Sequence, residues 1–154
     1  MASRRIDVMR KGPARDGDER VEISIPVRPE FVSVARLTAA TVAARQGFTY
    51  DEIEDLKIAV GEACTALIVA RPDATQPLTT AFVLSPGSIE VLVSARAPAP
   101  AWAKDGARRE TGEAPIDESR LGMFLMQCLV DEVEARHDAA TGVTELRLLK
   151  RRQG

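Results

Sequence analysis

The chain of 154 residues is poor in the groups that most often do chemistry. It has two cysteines, one histidine, one tryptophan and one tyrosine, and aromatic residues make up only 4% of it. Cys64 and Cys128 share no paired spacing and His137 has no histidine partner, so no zinc-site pattern is present. Both cysteines fall in apolar helical stretches, which predicts buried, reduced thiols. A net charge of −2 leaves no basic excess of the kind a nucleic-acid binder carries. No apolar run approaches the roughly 18–20 residues of a membrane span, and the N-terminus lacks the apolar segment of a signal peptide. The expected location is the cytoplasm. With 45% hydrophobic and 29% charged residues, the composition is that of one globular domain with a real core.

What is present is strong helical patterning. The stretch Tyr50–Ala70, YDEIEDLKIAVGEACTALIVA, follows Thr49, an N-cap residue with Glu52 placed to complete a capping box. Ile53, Leu56, Val60, Ala63, Cys64 and Leu67 recur at helical steps and form one apolar stripe. At about 100° per residue, a second line runs beside it through Glu62, Ala66 and Ala70. Only Glu62 on that line bears a reactive group.

Around this helix the order is legible. Residues 1–20 mix charge and glycine with little apolar content and read as a disordered tail, with basic residues able to touch an acidic partner. Val21–Val27 alternates as a strand, and Pro29 opens a helix to about Gln46 with Phe31, Val34, Ala35, Thr38 and Val42 inward. Arg36 projects away from that stripe. Two strands, Leu78–Leu84 and Ile89–Ser94, flank the turn Ser85-Pro86-Gly87-Ser88 and form a hairpin. A loop rich in Ala, Pro, Gly and charge occupies 95–118, and Trp102 stands in it either to dock the loop or to meet a partner. Leu121–Glu134 reads as a second buried helix, with Leu121, Leu125, Cys128, Leu129 and Val133 along one side, and Val143–Leu149 as a last strand. This order predicts an α+β fold: a layer of helices on one face of a mixed, largely antiparallel sheet.

The segments FVSVARLT, YDEIEDLKIAVGEACT and LGMFLMQCLVDEV, in this order and spacing, closely resemble the anti-sigma-factor serine kinases, the RsbW-like proteins of the general-stress switch. The resemblance runs from about Val21 to Leu149. It implies the two-layer α/β sandwich of the GHKL (Bergerat) ATPase type across residues 21–150, with 95–118 as the ATP lid. It also implies a site held by short motifs. At the family's base position stands Glu62, but the magnesium-binding asparagine is replaced by Ala66. The residue after it in the motif is Ala70. The Asp-x-Gly turn that takes adenine corresponds to Ala95, Arg96 and Ala97. The glycine-rich turn that cradles phosphate corresponds to Ser119, Arg120, Leu121 and Gly122, of which only Gly122 keeps the glycine.

Alanine at 66 offers no oxygen to a hard cation. Alanine at 95 accepts no hydrogen bond, and an unpaired buried amino group costs roughly 1–3 kcal/mol. Phosphoryl transfer rests on positioning and electrostatic stabilisation, so loss of metal and cradle together removes its basis. The expectation is therefore a degenerate nucleotide site, with Glu62 a remnant and no metal or cofactor. The resemblance further implies a homodimer that binds an alternative sigma factor and a competing anti-anti-sigma antagonist through Arg36. Two other readings stay open. One is an active serine kinase using Mg-ATP, with replacement ligands such as Asp117, Glu118 or Ser119. The other is a sensor of a different anion, bound near Arg96, Arg108, Arg109 and Arg120.

Overall fold

In a computed structural model that describes residues 18–71, 74–104 and 118–153, the chain runs β1 (Glu19–Ile25), α1 (Val32–Arg45), α2 (Tyr50–Ala70), β2 (Leu78–Ser85), β3 (Ser88–Arg96), α3 (Ala101–Lys104), α4 (Glu118–Leu129), β4 (Glu132–Asp138) and β5 (Val143–Arg151). The strands pair in the order β1-β2-β3-β5-β4, and every pairing among them is antiparallel. Strand alternation sends one set of residues to the helices. The register aligns Val21, Phe82, Val91, Leu148 and Val133 in a single inward row across all five strands. Against these rows pack Ala35, Ala39, Val42 and Ala43 of α1, the stripe of α2, and Met126 of α4. The two-layer α+β architecture is the expected one.

Helix α2 begins where the sequence places it. The Thr49 hydroxyl accepts from the Glu52 N–H at 3.2 Å, and Glu52 Oε1 accepts from the Thr49 hydroxyl at 2.9 Å. Leu56, Val60, Ala63, Cys64 and Leu67 are fully buried, with Ile53 at the edge of the core. Burial pushes the Cys64 thiol up to about 12, so it stays protonated and inert. Between β2 and β3, Pro86 and Gly87 make the two-residue turn, with Gly87 at φ +78°.

The structure departs from the sequence expectation in several places. Strand β1 starts at Glu19, inside the segment read as tail, and ends at Ile25; residues 1–17 lie outside the described residues. Pro29–Phe31 is a 3-10 turn ahead of α1, and Val34 faces solvent because α1 buries Ala35, Ala39, Val42 and Ala43 instead. The second buried helix, expected over Leu121–Glu134, spans Glu118–Leu129, and Glu132–Asp138 is a fifth strand. Only residues 130 and 131 separate the two, with neither Gly nor Pro to mark the break. Helix α4 buries Met126, with Met123 and Leu129 beside it, while Leu121 and Cys128 are exposed and Val133 packs from β4. The new edge strand is held by charge. Arg147 on β5 bonds Glu90 on β3 and Glu132 on β4, the latter at 3.0 Å, and Lys150 Nζ donates to Leu129 O at 2.7 Å.

The capping pair generates a test. Burial raises the Glu52 pKa, but hydrogen bonds from the Thr49 hydroxyl, the Gln153 N–H and the Thr49 N–H, with the charge of Lys150, outweigh it and hold the carboxyl below its ordinary 4.5. A carboxyl depressed in the folded chain stabilises above its unfolded pKa, and that contribution is lost as pH falls through the lower folded value. Thr49→Ala is expected to cost about 1 kcal/mol in urea melts at neutral pH. The margin of wild type over Glu52→Gln should shrink below about pH 4.5. A margin that grows toward acid pH would contradict the assignment.

Candidate functional site

The line Glu62, Ala66, Ala70 runs along the α4 edge of α2, and each of the three is half-buried. Gly122 fixes which neighbour lies there: a Cβ placed on it would sit 3.1 Å from Glu62 Oε1. Among the described residues the Glu62 carboxylate has no hydrogen-bond or ion-pair partner. Gly122 is the fifth residue of α4. The family resemblance implies a turn at the head of the helix here, with its N–H free to cradle phosphate. In the structure it lies past the four N–H groups that a helix leaves open, because α4 begins at Glu118.

At the far end of the sheet, Ala95 and Ala97 are 7% and 2% exposed, with Arg96 between them pointing to solvent. Ala97 is clamped on both sides. Its N–H donates to Gly142 O at 3.0 Å, and its carbonyl accepts from the Thr144 hydroxyl. Thr144 stands opposite Ala95 in the β3–β5 register and is fully buried. Its one proton goes to Ala97, so His137 Nδ1, 2.8 Å from the same oxygen, is the donor of that second bond. Ala66, Ala70, Ala95, Ala97 and Trp102 all belong to the one core cluster, some at its centre and some at its margin. Trp102 is 9% exposed, carried on α3, which packs on α4 and β4. Of its two expected roles, it takes the docking one.

Arg36 lies on the opposite edge of α2. Its methylene stem crosses Gly61, where an added Cβ would come within 3.2 Å of Arg36 Cδ. Glycine at 61 therefore sets how close α1 and its arginine approach α2. The guanidinium has no partner among the described residues. Elsewhere on α1 and α2, Val34, Leu37 and Ile58 are 43%, 62% and 41% exposed.

The remaining sequence candidates are scattered. Asp117, Arg108 and Arg109 lie outside the described residues, and Glu118 and Ser119 form the first turn of α4. Arg120 is half-buried and engaged. Thr144 was not singled out by sequence reasoning, although the alternation of VTELRLL puts a hydroxyl in an inward phase where its neighbours at that phase are leucines. The structure thus brings Glu62 and Gly122 together, and gathers the alanines into the core. It sets Arg36 apart on the other side of α2.

Comparison with known proteins gives a consistent match. The model of the histidine kinase-like ATPase domain family matches residues 25–150. The serine-protein kinase RsbW of Halalkalibacterium halodurans is 35% identical over 142 residues, covering 86% of this chain and 85% of the relative. RsbW of Bacillus cereus is 33% identical over 143 residues, 88% of either chain. Among solved structures, the RsbU and RsbW domains of a Mycobacterium tuberculosis protein superpose with a TM-score of 0.63 at 18% identity; the match covers 87% of this chain and 32% of that longer one. The chain belongs to the histidine kinase-like ATPase domain family, alongside the RsbW serine-protein kinases.

Proposed function

We propose that this chain is an anti-sigma factor that sequesters a stress-type alternative sigma factor by direct binding, and that it has lost nucleotide binding and kinase activity. The observation that carries this reading is the burial of Ala95 and Ala97, at 7% and 2% exposure, inside the core. Where the family resemblance asks for an aspartate and a glycine facing adenine, two methyl groups join an apolar cluster shared with Ala66 and Ala70. A purine amino group arriving there would lose its water and gain no acceptor. Ala66 brings no oxygen to a magnesium ion, and Gly122 sits too deep in α4 to offer a free N–H. Glu62 alone supplies neither metal nor cradle.

What supports retained partner binding is the setting of Arg36. Arg36 is held by its stem on Gly61, its charge is unpaired among the described residues, and the same two helices expose Val34, Leu37 and Ile58. An aromatic or arginine anchor in an apolar surround is the usual composition of a protein-binding hot spot. In this reading the chain acts as a cytoplasmic homodimer. An anti-anti-sigma antagonist releases the sigma factor by competing for the same surface, because a partner shifts the population only through differential affinity.

The competing reading is an active serine kinase, favoured by the names of the relatives. Two results separate the two readings, and two substitutions test the residues behind them. Sigma-factor affinity is expected to be the same with and without Mg-ATP, whereas a kinase cycle would make it nucleotide-dependent. Incubation with the antagonist and Mg-ATP should leave the antagonist's serine unmodified; phosphate transfer at the rate of an active relative would overturn the proposal. Arg36→Ala should weaken sigma binding about thirtyfold, the effect of ~2 kcal/mol at a hot spot, with the melting temperature unchanged. Unaltered affinity would remove Arg36 from the interface. Ala95→Asp places a carboxylate in the core and is expected to cost on the order of 1–3 kcal/mol in urea melts.

A further inference from the structure

Arg71 and Arg96 come from different elements and line one cavity of about 310 Å³, together with Ala74, Thr75, Gln76 and Gly142. Both mounts are fixed. Arg71 closes α2, its N–H donating to Ile68 O at 3.1 Å and its carbonyl accepting from the Ala74 N–H at 3.1 Å. Arg96 ends β3 on the rung with Val143, beside the Ala97–Gly142 bond, and Gly142 turns at φ +75° with its N–H on Asp138 O at 2.7 Å. Among the described residues no carboxylate lines the cavity. Asp138, on the same rung through Val143, directs its Oδ1 to the Ala140 N–H at 2.9 Å. Neither guanidinium has a hydrogen bond or ion pair with any described residue.

One cation at this place has a simple explanation, since Arg71 sits at the negative end of the α2 dipole. That account does not extend to Arg96, which is mounted on a strand. Two guanidiniums, a threonine hydroxyl and a glutamine amide supply donors, and the volume suits a small molecule. The geometry points to a site for a phosphate-bearing small anion, held by Arg71 and Arg96 at the end of the sheet. The site borders the Ala95–Ala97 segment through Arg96, and it stands whether or not the chain binds sigma or nucleotide. Guanidinium favours phosphate because its forked N–H groups match two oxygens at once.

The test is calorimetry on the full chain in low-chloride buffer, titrated with inorganic phosphate and, in a second arm, with phosphoserine. Saturable binding at one site per chain is expected in at least one arm, and the stronger arm tells free phosphate from a monoester. Arg71→Gln and Arg96→Gln should each weaken it about tenfold, the loss of one charge-assisted bond. Arg45→Gln on α1 should leave it unchanged. Both pocket arginines are exposed, so melting temperatures should match wild type and exclude misfolding as the cause. No saturable binding in either arm would overturn the site, as would binding that survives the double substitution.

Discussion

Everything in this molecule is arranged around how closely helix α2 can be approached from either side. On one edge, Gly61 lets the stem of Arg36 lie against the helix; on the other, Gly122 lets α4 stand against Glu62. A methyl group at either position would press on its neighbour at 3.2 or 3.1 Å, tighter than ordinary side-chain contact. Beneath these contacts the stripe from Leu56 to Leu67 is fully buried on the sheet, so α2 has little freedom to retreat. Two glycines thus set how closely α1 and α4 bring Arg36 and Glu62, neither of them paired among the described residues, to α2.

The same packing explains why alanine at the motif positions matters beyond the loss of functional groups. A polar residue facing a ligand needs a pocket that stays open to receive it. Ala95 and Ala97 instead complete a core that includes Trp102, and the buried hydroxyl of Thr144 is spent on the Ala97 carbonyl. Burial of a methyl group stabilises by roughly 0.8 kcal/mol, whereas an unpartnered aspartate at the same place would be destabilising. In a chain that binds no nucleotide, folding stability would favour alanine here. The placement of Arg36, by contrast, depends on Gly61 and not on the alanine positions.

The parts of this structure that could be read from sequence are those set by local chemistry. The capping box at Thr49 and Glu52 fixed the start of α2, and period-3.6 patterning gave its buried stripe. Pro86-Gly87 announced the hairpin. The failure at the α4–β4 junction has a physical cause: EVEARHD is charged enough to pass for the end of an amphipathic helix, and its strand character comes from pairing with β5 and from Arg147, both outside the segment itself. Val34 was placed inward because it fits the helical stripe, but the close approach of α1 to α2 and the sheet selects the smaller Ala35, Ala39 and Ala43. At the candidate site, Ala66, Ala95, Ala97 and Gly122 could be located by resemblance. The depth of Gly122 within α4, the Thr144 bond and the Arg71–Arg96 cavity could not, since each depends on where separate elements meet.

The central claim is that the core has closed over the nucleotide position. Isothermal calorimetry of the purified full chain with Mg-ADP tests it most directly. The account predicts no saturable heat up to millimolar nucleotide, and micromolar binding with a stoichiometry of one per chain would contradict it.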